Sequence, residues 1–211
     1  MTLIVGQTWR VAALLPLGIS TVNFFGTSGW TYSRDPQVKI RYSNGPLTVH
    51  LGIEEPLSRT SSNVPVFGGS IQYDMPGGHQ FVVGAAVGED DNGVQSDTSY
   101  VVQGGVNVNL ADMATFTAAV VWGEGTVASR YTAVPFDLFS GGQANETFGA
   151  MAGVSVPVTD TTTFNVVWDY INGDGRSRNA GPADSGLCAV AGTGCHDELH
   201  TIHANIMWQP V

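Results

Sequence analysis

"QVKIRYSNGPLTVHLGIEE", residues 37–55, reads as two strands joined at Asn44-Gly45-Pro46. Successive side chains of a strand point to opposite faces. Val38, Ile40 and Tyr42 therefore share a face, and so do Leu47, Val49, Leu51 and Ile53 after the turn. The other face carries Gln37, Lys39, Arg41 and Ser43, then Thr48, His50 and Glu54. A half-solvated sheet packs its apolar face inward and turns the polar one to water. A membrane barrel inverts this, with the apolar face on lipid and the polar face on a lumen.

Composition leans toward the second arrangement. A chain of 211 residues can form one large all-β domain or two ordinary ones. Hydrophobic residues make up 43% and charged residues only 12%, which excludes disorder. A surface facing water ordinarily carries about 25–35% charged residues, so the low figure favours lipid as one solvent. The 27 glycines fit many turns and small strand positions. The net charge of −10, with Lys39 the single lysine, argues against nucleic acid as a partner, because gripping phosphates requires Lys and Arg.

Alternation marks strands near 2–9, 36–43, 46–55, 65–74, 79–88, 99–110, 115–123, 146–156, 162–172 and 198–209. Most have the roughly 9–11 residues that a tilted strand needs to cross a bilayer. Short connections (44–46, 75–78, 111–114 and a turn near Thr159-Asp160) alternate with long ones (10–35, 56–64, 89–98, 124–145 and 173–197). All long loops then leave from one side, as in outer-membrane barrels. Charges well inside strands, Lys39, Arg41, Glu54, Asp74 and Asp169, fall on the parity opposite to aromatic and branched residues. Tyr42, Tyr73, Phe81, Phe116, Phe164 and Trp208 lie near the short turns, while Tyr100, Trp122, Phe148, Trp168 and Tyr170 lie toward the long loops. Two aromatic rows around an aliphatic belt match two membrane interfaces. The expected fold is all-β, a transmembrane antiparallel up-and-down β-barrel.

No stretch reaches the roughly 20 apolar residues of a spanning helix. "RVAALLPLGIS", residues 10–20, has the short apolar run of a secretory signal, but Pro16 and Gly18 interrupt it. Its better reading is a loop buried in protein.

"VGQTW" (5–9), a long loop, and then "RDPQVKIRYSNGPLTVHLGIEEP" (34–56) resemble the DcaP-like branch of bacterial porins. "HTIHANIMWQPV" (200–211) resembles a strand near the end of that family's barrel. The resemblance implies a homotrimeric outer-membrane channel of Gram-negative bacteria with sixteen strands. About ten are present, so the chain (1–211) is read as a partial porin domain, an internal piece of a longer one. The resemblance also implies that residues 10–35 fold into the lumen as a constriction. Arg10 and Arg34 then stand at the ends of that loop, with Lys39, Arg41 and His50 on the lumen face beyond it. Asp35 and Glu54 are the acids to weigh against them. Bases in a narrow passage favour anions, so small carboxylates are the expected solutes, with membrane lipid and lipopolysaccharide around the barrel.

Other chemistry is sparse. Cys188 and Cys195, in "CAVAGTGC", form an even pair that suits a disulfide in an oxidising compartment. Zinc would draw on His196, His200 and His203, but CxxC spacing is absent, and His200 and His203 have opposite parity. "EDDNG" (89–93) and "NGDG" (172–175) lack calcium-loop spacing. Asn145-Glu146-Thr147 forms a glycosylation sequon without meaning in a bacterium. No metal, cofactor or catalytic constellation is expected, so the chain reads as a non-enzyme. The alternative is a secreted or surface-exposed soluble β-sandwich with a ligand-binding or structural role.

Overall fold

Alternating sequence becomes ladder wherever a turn brings two such segments together. The computed structural model describes residues 1–13, 34–55, 64–91, 96–111, 113–131, 139–140, 143–144, 146–174 and 198–209. Ten strands form one antiparallel sheet: β1 (Thr2–Trp9), β2 (Arg34–Asn44), β3 (Leu47–Glu54), β4 (Val66–Met75), β5 (His79–Asp91), β6 (Ser96–Leu110), β7 (Ala114–Glu124), β10 (Glu146–Thr159), β11 (Thr162–Asp174) and β12 (Glu198–Trp208). Between β7 and β10 lie a helix, α1 (Gly125–Tyr131), and a two-strand hairpin, β8 (Phe139–Ser140) with β9 (Gln143–Ala144). Every strand of the large sheet pairs with its neighbour in sequence, an up-and-down order. Closure is missing among the described residues, because β1 pairs only with β2 and β12 only with β11.

The first hairpin shows how register is set. Asn44 faces Leu47 across the two-residue turn Gly45-Pro46. Gly45 has φ of 56°, the left-handed region that a glycine-first hairpin turn uses. From there Tyr42 pairs with Val49 and Ile40 with Leu51, so both apolar rows lie on one face. A slip of one residue would move them all to the other side.

Polarity is the reverse of a solvated sheet. Ile40, Leu51, Phe67, Phe81, Val102, Val120, Trp168 and Ile202 are exposed along one face. On the other face Lys39, Thr48, Glu54, Ser70, Gln103, Thr117, Asn165 and Asp169 are buried. They share it with an apolar cluster that includes Val66, Val82, Val101, Val121 and Val167. Residues 10–13 and α1 lie over this second face. Sheets of this size twist and coil, and here the curl brings five consecutive strands onto residues 9–12.

Two sequence expectations are corrected. The connection over 89–98 is mostly ladder, with Glu89 facing Thr98 and Asp91 facing Ser96. Its acids signalled a loop, but a strand continuing past an apolar belt into water can be polar throughout. The connection over 124–145 contains α1, which seven residues with Thr and Val would not hold alone. Burial holds it instead: Val127 and Ala128 are fully covered, and Tyr131 nearly so. Residues 14–33, Asn145, Cys188, Cys195 and His196 lie outside the described residues, so the disulfide and most of the inward-loop expectation do too.

Candidate functional site

The chain leaves β1 at Trp9 and turns over the covered face, where the strands hold it by its backbone. Lys39 Nζ donates to the Trp9 carbonyl at 2.7 Å. Gln37 Nε2 donates to the carbonyls of Thr8 at 2.6 Å and Trp9 at 2.8 Å. Val11 N–H donates to Glu54 Oε1 at 2.6 Å, and Ser70 Oγ donates to the Val11 carbonyl at 2.8 Å. Gln103 Nε2 donates to the Ala12 carbonyl at 2.5 Å. On β5 the chain comes so close to Gly84 that any Cβ there would strike the Ala12 carbonyl. Residues 9–12 thus have partners on β2, β3, β4, β5 and β6.

Helix α1 meets this segment over the same face, resting on β5, β6 and β7. Its Val127 N–H donates to Ser99 Oγ at 2.7 Å, and Ser99 Oγ donates to the Glu124 carbonyl at 2.9 Å. At its last residue Tyr131 Oη donates to Glu54 Oε1 at 3.0 Å, the same oxygen that Val11 uses. The Arg10 guanidinium lies 5.2 Å from the centre of the Tyr131 ring. Arg10 Nε also donates to Asp35 Oδ2 at 2.6 Å. Burial, with the neighbouring Glu54 carboxylate, pushes the Tyr131 phenol well above its usual value. Glu54 Oε1, Arg10 Nε and Gln37 Nε2 are all bonded here, while Glu54 Oε2, Arg10 Nη1 and Gln37 Oε1 are buried without a partner; a carboxylate with no partner at all would cost several kcal/mol.

Toward the short turns the covered face is a chain of polar side chains. Thr117 Oγ1 donates to Asn107 Oδ1 at 2.6 Å. Asn107 Nδ2 reaches Gln80 Oε1 at 3.5 Å, while Gln80 Nε2 and Gln72 Nε2 donate to Asp74 Oδ1 at 2.7 and 2.9 Å. On the strands beyond, Asn165 Nδ2 donates to Asn205 Oδ1 at 2.9 Å, and Thr201 Oγ1 to Asp169 Oδ2 at 3.2 Å. His203 Nε2 stands 3.8 Å from the same Asp169 oxygen.

The bare face has its own order. Tyr100 and Trp122 meet edge-on at 5.2 Å, and Trp122 Nε1 donates to Glu146. Phe148, Tyr170, Trp168 and His200 continue the row, with His200 4.8 Å from Tyr170 and 5.9 Å from Trp168. His200 and His203 are on opposite faces, and no three potential ligands cluster among the described residues.

The seven candidate residues separate into two groups. Arg10, Asp35, Lys39 and Glu54 converge on the inward segment. Arg34 instead stacks over the Trp9 ring at 4.4 Å and is exposed, at the start of β2. Arg41 is exposed, and the half-buried His50 faces it across the ladder, Nδ1 lying 3.3 Å from Ser70 Oγ. Sequence reasoning put Gln37 on the polar face without giving it a role, and it missed Ser70, Gln103 and Tyr131. Parity alone could have placed Ser70 and Gln103 on the covered face; nothing in "GTVASRY" signals Tyr131. Comparison with known proteins finds no family model, curated protein or solved structure that matches this chain.

Proposed function

We propose that this chain forms the wall of an outer-membrane diffusion channel for small hydrophilic solutes, a porin whose preferred solutes are small carboxylates. The inverted sidedness of the sheet carries the reading: large apolar side chains line the bare face, and amides, hydroxyls and charges line the covered one. In water, such a bare face would be a patch far larger than soluble proteins leave open. Against lipid it costs nothing, and its aromatic rows fall where the two interfaces would lie. Along β7, Phe116 and Trp122 are six residues apart, roughly 20 Å of strand. On a strand tilted by about 40° that length projects to roughly 15 Å along the membrane normal, within the apolar band of about 25 Å found around outer-membrane barrels.

Residues 9–12 and α1 narrow the covered side over β4–β7, where the buried cluster is apolar. The passage then runs past the polar positions of β2–β3 and β10–β12, and through the amide-lined end near the short turns. Arg41, exposed on this face, weights the β2–β3 wall toward anions. In the membrane the two sheet edges must be paired, because edges of unpaired backbone are not tolerated in lipid.

The test is reconstitution of the full chain in planar bilayers under a salt gradient. Stepwise conductance with an anion-directed reversal potential is expected, together with detergent-dependent extraction. A monomer soluble without detergent that gives no steps would refute the reading.

A further inference from the structure

Glu54 joins two segments that are remote in sequence. One carboxylate oxygen accepts the Val11 N–H at 2.6 Å and the Tyr131 hydroxyl at 3.0 Å. The first donor belongs to the segment after β1, the second to α1, which follows β7. Glu54 is only 2% exposed, and Tyr131 is as deeply buried. Around this junction the two segments also touch directly, through the Arg10 guanidinium on the Tyr131 ring at 5.2 Å. Neither segment has comparable internal support: residues 10–13 form one turn, closed by Ala13 N–H on the Arg10 carbonyl, and α1 has seven residues.

We infer that Glu54 is a size-determining residue of the channel, a shared latch that holds both inward segments in the passage. The inference rests on the channel reading above. Glu54 acts by position, because it is almost fully covered and its Oε1 is occupied by both donors. A hydrogen bond to a charged group, once lost, shifts the ratio of docked to undocked segment by about tenfold to a hundredfold. Losing Glu54 removes two such bonds at once and leaves Val11 N–H and Tyr131 Oη buried without their acceptor. Losing only the Tyr131 hydroxyl removes its bonds to Glu54 and to the Ala12 backbone, but keeps the ring beneath Arg10 and leaves Glu54 holding Val11 N–H. The order of effect is therefore Glu54→Ala above Tyr131→Phe. Glu54→Gln, which keeps an acceptor oxygen and nearly the same shape, stays close to wild type.

The experiment pairs single-channel recording with thiol accessibility. Conductance is recorded with polyethylene glycols of graded size as the probe of bore. In parallel, Val127→Cys on α1, with Cys188 and Cys195 replaced by Ser, is exposed to a membrane-impermeant maleimide in detergent. Val127 is fully buried, so the thiol is expected to stay unlabelled with Glu54 or Gln present and to react at least about tenfold faster with Ala. Glu54→Ala and Tyr131→Phe should also admit larger polymers, with heat-modifiable migration in denaturing gels unchanged. If Glu54→Ala does not fold, Tyr131→Phe reads the same latch. Unchanged labelling and unchanged polymer cut-off in a conducting protein would overturn the latch. Absent conductance with altered labelling would refute the channel while retaining the latch.

Discussion

Replacing Val120 by arginine separates lipid from water as the solvent of the bare face. Val120 is 51% exposed on β7, with Gly104 and Ala150 as its ladder partners, so a larger side chain meets no steric obstacle. In water, a substitution at such a surface site changes stability by no more than about 0.5 kcal/mol. In a bilayer, an arginine on the outside of a barrel costs about 2–4 kcal/mol at the midplane and less near the interfaces. Val120 lies two residues from Trp122 and four from Phe116, about 7 and 13 Å along the strand, which places it inside the band but off its centre. The lower end of the range applies, about 2 kcal/mol, or roughly a thirtyfold shift in the folding equilibrium. Urea titration of the protein folded into lipid vesicles measures it, with Val120→Thr as the control for side-chain shape. A Val120→Arg midpoint equal to that of wild type, in vesicles where both fold, would show that the bare face does not meet lipid.

Four other outcomes follow from the structure. Gly84→Val puts a branched side chain against the Ala12 carbonyl, so the inward segment should undock, at a cost of at least about 1–3 kcal/mol; unchanged protease sensitivity at residues 10–13 would contradict this. Ala111 has φ of 48° in the turn after β6, a conformation that costs a residue with Cβ about 1 kcal/mol, so Ala111→Gly should raise the unfolding midpoint. The Tyr131 phenol has a raised pKa in the folded state, so its contribution is complete below the free phenol value near 10 and is lost as pH climbs through the higher folded value; titration by phenolate absorbance should show one tyrosine ionising late and together with undocking of α1. Arg41→Glu should move the reversal potential toward cation preference without stopping conductance; a variant whose reversal potential matches wild type would remove Arg41 from selectivity.

The strands were legible because period-two alternation is a local signal: it persists through β2 and β3 without interruption, and in β7, β10 and β11 the aromatics keep one parity although Val121, Met151 and Val167 are apolar on the other. The sidedness of Lys39 and Asp169 followed from the same parity. What the sequence could not show is partnership. Tyr131 finds Glu54 across 77 residues, and Gln103 finds Ala12 across 91. Such contacts depend on curl, which leaves no periodic trace. Helix α1 was equally hidden, since a single turn or two is held by what it rests on rather than by its own residues. The tips of β5 and β6 were hidden for the opposite reason: their acids look like loop, yet polar strand and polar loop are chemically alike.

The near-neighbour order of the sheet has a kinetic consequence. Nine ladders join strands adjacent in the sheet's chain order, so each can close as its two halves appear, with little loop entropy to overcome. The bonds to residues 10–12 and to Tyr131 are different, because they require β2 through β7 to be in place first. They belong after the rate-limiting assembly of the wall, where interactions slow unfolding while leaving the folding rate almost unchanged. Glu54, Gln103 and Tyr131 should therefore govern how long the finished protein keeps its passage narrowed, and hardly at all how fast it inserts.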